Sequence, residues 1–254
     1  MSDIKLNYIT PDRLVSGRIV EYDIQAANAN ILLSKGYINE REYNRIISMP
    51  KMNREIYVGN MMKNHPEVYH TIRDGMIEYI QKLITANHIK EDEIVRIAND
   101  AICINRMTDL TETQFDHVLF RPKLTASNMI NINRVLVFSN YDNNQIDIET
   151  KGLGDLGSQL HQNYMLKFIA NVIYLFERVS MEDAISSVTQ FYADYVNRSL
   201  PMEYYRTFDS IPSYQVMNSQ YMISGTPSSM NEINISYNLN IIRELYSILM
   251  ENFH

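Results

Sequence analysis

The sequence predicts an α+β fold, a small antiparallel sheet packed on helices and followed by a mainly helical C-terminal region. Three observations predict it. The segment GRIVEYD, residues 17 to 23, has the β-branched content of a strand and follows a Ser-Gly turn. Val68, Ile72, Met76, Tyr79, Ile80, Leu83 and Ile84 recur at helical spacing. IVRIANDAICIN, residues 94 to 105, gives two short apolar strands around the turn-prone pair Asn99-Asp100.

The elements follow in order. After the strand at 17–23, AANANILLSK at 26–35 predicts a short helix closed by Gly36. Asn39, with Glu42 three residues on, forms a capping box for a helix over 40–48, which Pro50 ends. A further helical stretch covers 52–63. His65-Pro66 opens the long helix, which ends near Asn87. The hairpin at 94–105 comes next. After a polar stretch, RVLVFS at 134–139 and QIDIE at 145–149 flank another turn. Residues 162–178, 181–197 and 232–252 are amphipathic and predict helices. The segment 207–229, rich in Ser, Pro and Gly, predicts a long loop.

Composition narrows the class. The chain has 254 residues, 45% hydrophobic and 21% charged, which is enough to bury a core and excludes disorder and collagen-like repeats. The single Cys103 forms no internal disulfide, and its place between Ile102 and Ile104 predicts an inert buried thiol in a reducing compartment. No run reaches the ~18 apolar residues of a membrane helix, and the N-terminus lacks the apolar core of a signal peptide. The expectation is therefore a cytoplasmic protein without a membrane partner, in the host cytoplasm if the protein is viral. Only 8 glycines are present, and no phosphate-cradling glycine loop is among them. One Cys and six scattered His exclude a structural zinc cluster. The net charge of -7 argues against a generic nucleic-acid binder. Residues 41–63 run the other way, with Arg41, Arg45, Lys51, Arg54 and Lys63 against Glu42 and Glu55. Such a patch can bind phosphate even on an acidic protein, the alternative being a solvated surface of mixed charge.

Two aspartates stand at strand ends. Asp23 closes the first strand and Asp100 sits at the tip of the first hairpin. Carboxylates held on neighbouring strands can converge on Mg2+, which demands well-placed oxygen ligands.

The order strand-Asp23-helix, basic helical insert, long helix, hairpin-Asp100 resembles the palm of template-dependent polymerases, and most closely that of family B DNA polymerases. Their first motif, DxxSLYPSII, aligns without a gap with DIQAANANIL at 23–32. Their motif IYGDTDSIF aligns with VRIANDAIC at 95–103, after a long helix carrying Arg73. Their fingers motif KxxxNSxYG is similar to KMNREIYVG at 51–59, with altered spacing. Arg134 opens a strand where the family has KKRY, and IDIETKG at 146–152 ends in the family's KG. The resemblance spans roughly residues 15 to 155. The YADD motif of reverse transcriptases also resembles residues 97–100, without the hairpin ending in KG.

The resemblance implies a palm-like domain over 1–155 with a fingers-like helical insert at 37–65. A thumb-like or docking helical region over 156–254 would follow. In the palm-like domain the strand at 17–23 would lie beside the hairpin at 94–105, backed by the helices at 26–35 and 66–87. The resemblance further implies Mg2+ ligation and catalysis by Asp23 and Asp100. Nucleotide contacts would come from Lys51, Arg54, Tyr57 and Asn28, and primer–template contacts from Lys123, Arg134 and Lys151. The implied function is that of a C-terminal part or subunit of a DNA polymerase. The alternatives are a catalytically degenerate palm-derived binding subunit and an unrelated helical scaffold, for which 15 Met and 18 Tyr supply adaptable surfaces. Two departures bear on activity. One carboxylate is missing, since Ala98 stands at the motif's first Asp in the ungapped alignment, or Ile102 at its second after a shift of two, and Asn28 stands where the family has a sugar-stacking Tyr. Weak or absent nucleotide addition by the lone chain, with a partner subunit required, is the resulting expectation.

Overall fold

A computed structural model describes residues 4–11, 13–132, 135–142, 145–151, 162–201, 204, 206–208, 213–217, 220–224, 227–230 and 232–252. The fold is α+β, with an antiparallel sheet packed on helices. Contacts divide the chain into two units. One comprises Met1–Pro11 and Val15–Ser127, the other Asp12–Leu14 and Asn128–His254.

In the first unit, β1 (Tyr8–Ile9) pairs with β3 (Ile94–Ala98), and β3 forms a tight hairpin with β4 (Ala101–Asn105). The turn residue Asn99 adopts a left-handed φ of 51°, which Asn tolerates better than most residues. β2 (Leu14–Ile24) pairs antiparallel with β4, bringing Asp23 opposite Ala101 and Ile19 opposite Asn105. The expected adjacency of the first strand and the hairpin at 94–105 is therefore present. On the other side of β2 runs β6 (Val118–Ile132), which also turns back on β5 (Gln114–Phe115).

The helices between β2 and β3 follow local signals closely. They are α1 (Ala27–Ser34), α2 (Glu40–Ile47), α3 (Lys51–Asn64) and α4 (Pro66–Ala86). The Asn39 side chain accepts from Glu42 N at 2.9 Å and so caps α2. Pro66 starts α4, where a missing N–H costs nothing. α4 buries Tyr79, Ile80, Leu83 and Ile84 against Val20, Tyr22 and Ile102 of the sheet. Gly75 of α4 lies against Ile31 of α1, and a Cβ there would sit 2.3 Å from Ile31 Cγ2. The absence of a side chain at Gly75 thus sets how closely the two helices pack. Asn87 closes α4 from a buried position. Its Nδ2 donates to Leu83 O and Glu112 O, and its Oδ1 accepts from the backbone N of Thr111 and Glu112.

In the second unit, the end of β6 pairs with β7 (Val135–Asp142), which forms a hairpin with β8 (Gln145–Lys151). α5 (Gln162–Arg178), α6 (Met181–Val196) and α7 (Glu232–Glu251) follow. Their apolar faces make one core with the strands, including Ile130, Val137, Val172, Val188, Ile242 and Leu245. Phe168 and Phe191 stack with centroids 3.8 Å apart. Arg13 joins this unit through Glu244 at 2.5 Å and Glu251 at 2.9 Å.

The structure corrects the sequence reading in two places. Residues 118–132, passed over as a polar stretch, form the long strand β6. The segment 207–229, expected to be a loop, contains β9 (Arg206–Phe208), β10 (Ser213–Met217), β11 (Gln220–Ser224) and β12 (Pro227–Met230), paired as β10 with β11 and β9 with β12.

A candidate nucleotide-phosphate and cation site

The first unit contains a cavity of about 500 Å3. Asp23 and Asp100 meet there because β2 and β4 pair in register. Asp23 lies opposite Ala101, and Ile24 N donates to Asp100 O at 2.9 Å. The start of α1 supplies Asn28, α3 supplies Lys51, Arg54 and Glu55, and β6 supplies Arg121 and Lys123. Of the residues singled out from sequence, Asp23, Asp100, Asn28, Lys51, Arg54 and Lys123 share this one cavity.

The electrostatics are those of a carboxylate pair among cations. Lys123 Nζ donates to Asp23 Oδ2 at 2.6 Å. That hydrogen bond is the main cause of an upward shift in the Lys123 pKa. Asp23 Oδ1 is buried and has no hydrogen-bond partner among the described residues. Burial, and then the negative charge of Asp23, push the Asp100 carboxyl above its ordinary range, partly offset by a backbone hydrogen bond and by Lys123. Two converging carboxylates, one with an unsatisfied oxygen, suit a hard cation with oxygen ligands. Among the described residues no cluster of three or more Asp, Glu, His or Cys completes a metal cage. Any ion held here would take its remaining ligands from water or phosphate.

The other sequence-predicted residues lie elsewhere. Tyr57 does not line the cavity. Its hydroxyl donates to Glu42 Oε1 at 3.2 Å and its ring lies 5.5 Å from the Arg45 guanidinium, so it ties α3 to α2. Lys151 lies on β8 in the second unit, 3.7 Å from Glu149 and 5.9 Å from the Phe138 ring centre. Arg134 falls outside the described residues. Arg121 is a cavity residue that the sequence reading missed. Its signal was the Arg-Pro-Lys run at 121–123, which places two cations on one strand face, two residues apart.

The matched family agrees with a viral source. The chain belongs to the bacteriophage PBS1 gene 130 protein family. The family model covers residues 5–251, nearly all of both units. No curated protein matches the chain. No helix among the described residues is long and apolar enough to cross a membrane.

Proposed function

We propose that this phage-family protein is a polymerase-palm-type subunit that binds a nucleoside triphosphate with Mg2+ and serves nucleotidyl transfer on a nucleic-acid primer–template in the host cytoplasm. The observation that carries the reading is the convergence of Asp23 and Asp100 with Lys51 and Arg54 on one cavity. In this reading Lys51 and Arg54 neutralise phosphate oxygens, and Arg54 adds the bidentate geometry that a guanidinium offers. Asp23 and Asp100 hold the cation through carboxylate oxygens. Mg2+, when bound, supplies charge neutralisation at the transferring phosphoryl group. Lys123 holds Asp23 in place and offsets the repulsion between the two carboxylates.

One carboxylate fewer than the palm pattern limits what the lone chain does. Mg2+ normally takes one or two protein carboxylates and keeps several waters. Asp23 and Asp100 therefore suffice for one ion, and a second needs ligands from a partner subunit. Primer extension by the isolated chain is expected to be weak or absent.

The test combines Mn2+ binding, followed by paramagnetic resonance, with primer extension in Mg2+ or Mn2+. Asp23→Asn and Asp100→Asn should each weaken Mn2+ binding at least tenfold. Unchanged Mn2+ affinity in both variants would remove the reading. A second reading, a palm-derived binding subunit without catalysis, is favoured by Ala98 at the position of the motif's first carboxylate in the ungapped alignment. It predicts salt-sensitive nucleic-acid binding, with a log–log slope near -0.9 per phosphate neutralised on duplex DNA, and no extension with any partner.

A further inference from the structure

A second cavity of about 310 Å3 shares Gln25, Ala26 and Arg54 with the first. Its other walls include Tyr43 and Ile47 of α2, and Gln114, His117 and Leu119 of the β5–β6 hairpin. The shared wall at 25–26 is firmly built. Gln25 N donates to Leu119 O at 2.9 Å, and Asn30 N donates to Ala26 O at 3.1 Å. The buried Asn30 side chain donates through Nδ2 to Gln25 O. Ala26 is held at φ 46° and ψ 46°, a left-handed conformation that is unfavourable for a non-glycine residue. Strain of this kind persists only where the surroundings impose it, and it concentrates at functional sites. The facing turn is anchored too. His117 N donates to Ser34 Oγ, and Asp116 Oδ2 accepts from the Tyr79 hydroxyl.

The two cavities differ in chemistry. The first presents Lys51, Arg54, Arg121 and Lys123, which suit a polyanion. The second presents an aromatic ring and two aliphatic side chains beside three amides and an imidazole. That combination suits a flat heteroaromatic group with hydrogen-bonding edges. Arg54 borders both.

We propose that the second cavity is a nucleobase subsite, and that one nucleoside triphosphate spans both cavities, its phosphates against Lys51 and Arg54 and its base against Tyr43, Gln114 and His117. The proposal rests on the phosphate reading of the first cavity. It adds that the chain selects the base with its own side chains, ahead of any template.

The experiment is calorimetric titration of the full chain in Mg2+ with inorganic tripolyphosphate, the four ribonucleoside and four deoxyribonucleoside triphosphates, and free nucleosides. At least one nucleoside triphosphate should bind tenfold or more tighter than tripolyphosphate. The paired variant Gln114→Ala with His117→Ala should cut that gain below threefold and leave tripolyphosphate affinity unchanged. Lys51→Ala should weaken tripolyphosphate and the nucleoside triphosphates alike. Tripolyphosphate binding as tightly as every nucleotide, or a gain that survives the paired variant, would overturn the base subsite alone. Nucleoside binding without tripolyphosphate binding would remove the phosphate reading and leave the base subsite without its spanning ligand. Binding of none of these ligands overturns both.

Discussion

The two units differ in the polar groups they gather. The first gathers ionisable groups around a cavity. Asp23, Asp100 and Lys123 share one electrostatic cluster there, and Glu21 lies buried 3.5 Å from Arg96. The second unit buries neutral groups in a packed core. Asn128 and Ser139 face each other across β6 and β7, and each has side-chain atoms without a hydrogen-bond partner among the described residues. Asn238 of α7 donates to the Tyr195 hydroxyl of α6 at 3.1 Å. Charges at a cavity are free to exchange partners with a ligand, whereas amides locked between helices serve packing geometry. Among the described residues, the ionisable cluster at a cavity lies in the first unit, and the core of the second is apolar with a few neutral polar groups.

Four measurements break or sharpen this contrast. The largest effect belongs to the second unit. Leu245 is fully buried in its core, and Leu245→Ala should cost about 2–5 kcal/mol in urea unfolding. Mn2+ affinity of the folded protein should not change, and a parallel fall would erase the distinction. Next comes Asn87→Ala in the first unit. It leaves two backbone N–H groups without their acceptor, for a loss of about 2–4 kcal/mol by the same assay. A loss under ~1 kcal/mol would mean that water replaces the amide.

The third compares the units directly. Asn39 caps α2 and Ser180 caps α6 by accepting from Asp183 N at 3.0 Å. Replacing either by Ala should lower stability by about 1 kcal/mol, equally in both units. The smallest effect is a pH dependence. Asp100 binds its proton more tightly folded than unfolded, so its favourable contribution is complete below the ordinary Asp range of ~3.9 and is lost as pH rises through the raised folded value. Asp100→Asn should therefore raise the melting temperature at pH 7 and leave it unchanged at about pH 3. A lower melting temperature at pH 7 would show that Asp100 is stabilised as a carboxylate.

Where the chain obeys local rules, its sequence was legible. α2 announced itself by Asn39 and Glu42, α4 by Pro66 and its apolar stripe, and the β3–β4 hairpin by Asn99 between two isoleucine-rich runs. The carboxylate pair followed, because both residues lie at the ends of strands that could be seen. β6 was hidden for a physical reason. Arg121-Pro122-Lys123 and Thr125 to Asn128 break its apolar alternation, and Pro inside a run argues against a strand. Its exposed, charged section is what lines the cavity, so the signal that marks the site also masks the element. The short strands between 206 and 230 escaped because Ser, Pro and Gly carry turn character that pairing overrode. Tyr57 shows the limit of motif spacing. Its position relative to Lys51 suggested substrate contact, while its ring and hydroxyl engage α2.

Cys103 lies in β4, three residues beyond Asp100, with 1% of its surface exposed, and the sequence has no other cysteine. A thiol reagent can reach it only when the strand beneath the carboxylates opens. The protein thus has a built-in clock: the rate at which one sulfur is modified reports how often that strand breathes, with no label introduced. A molecule that settles on Asp100 should slow the clock, and one that binds only in the second unit should leave it running at the same pace.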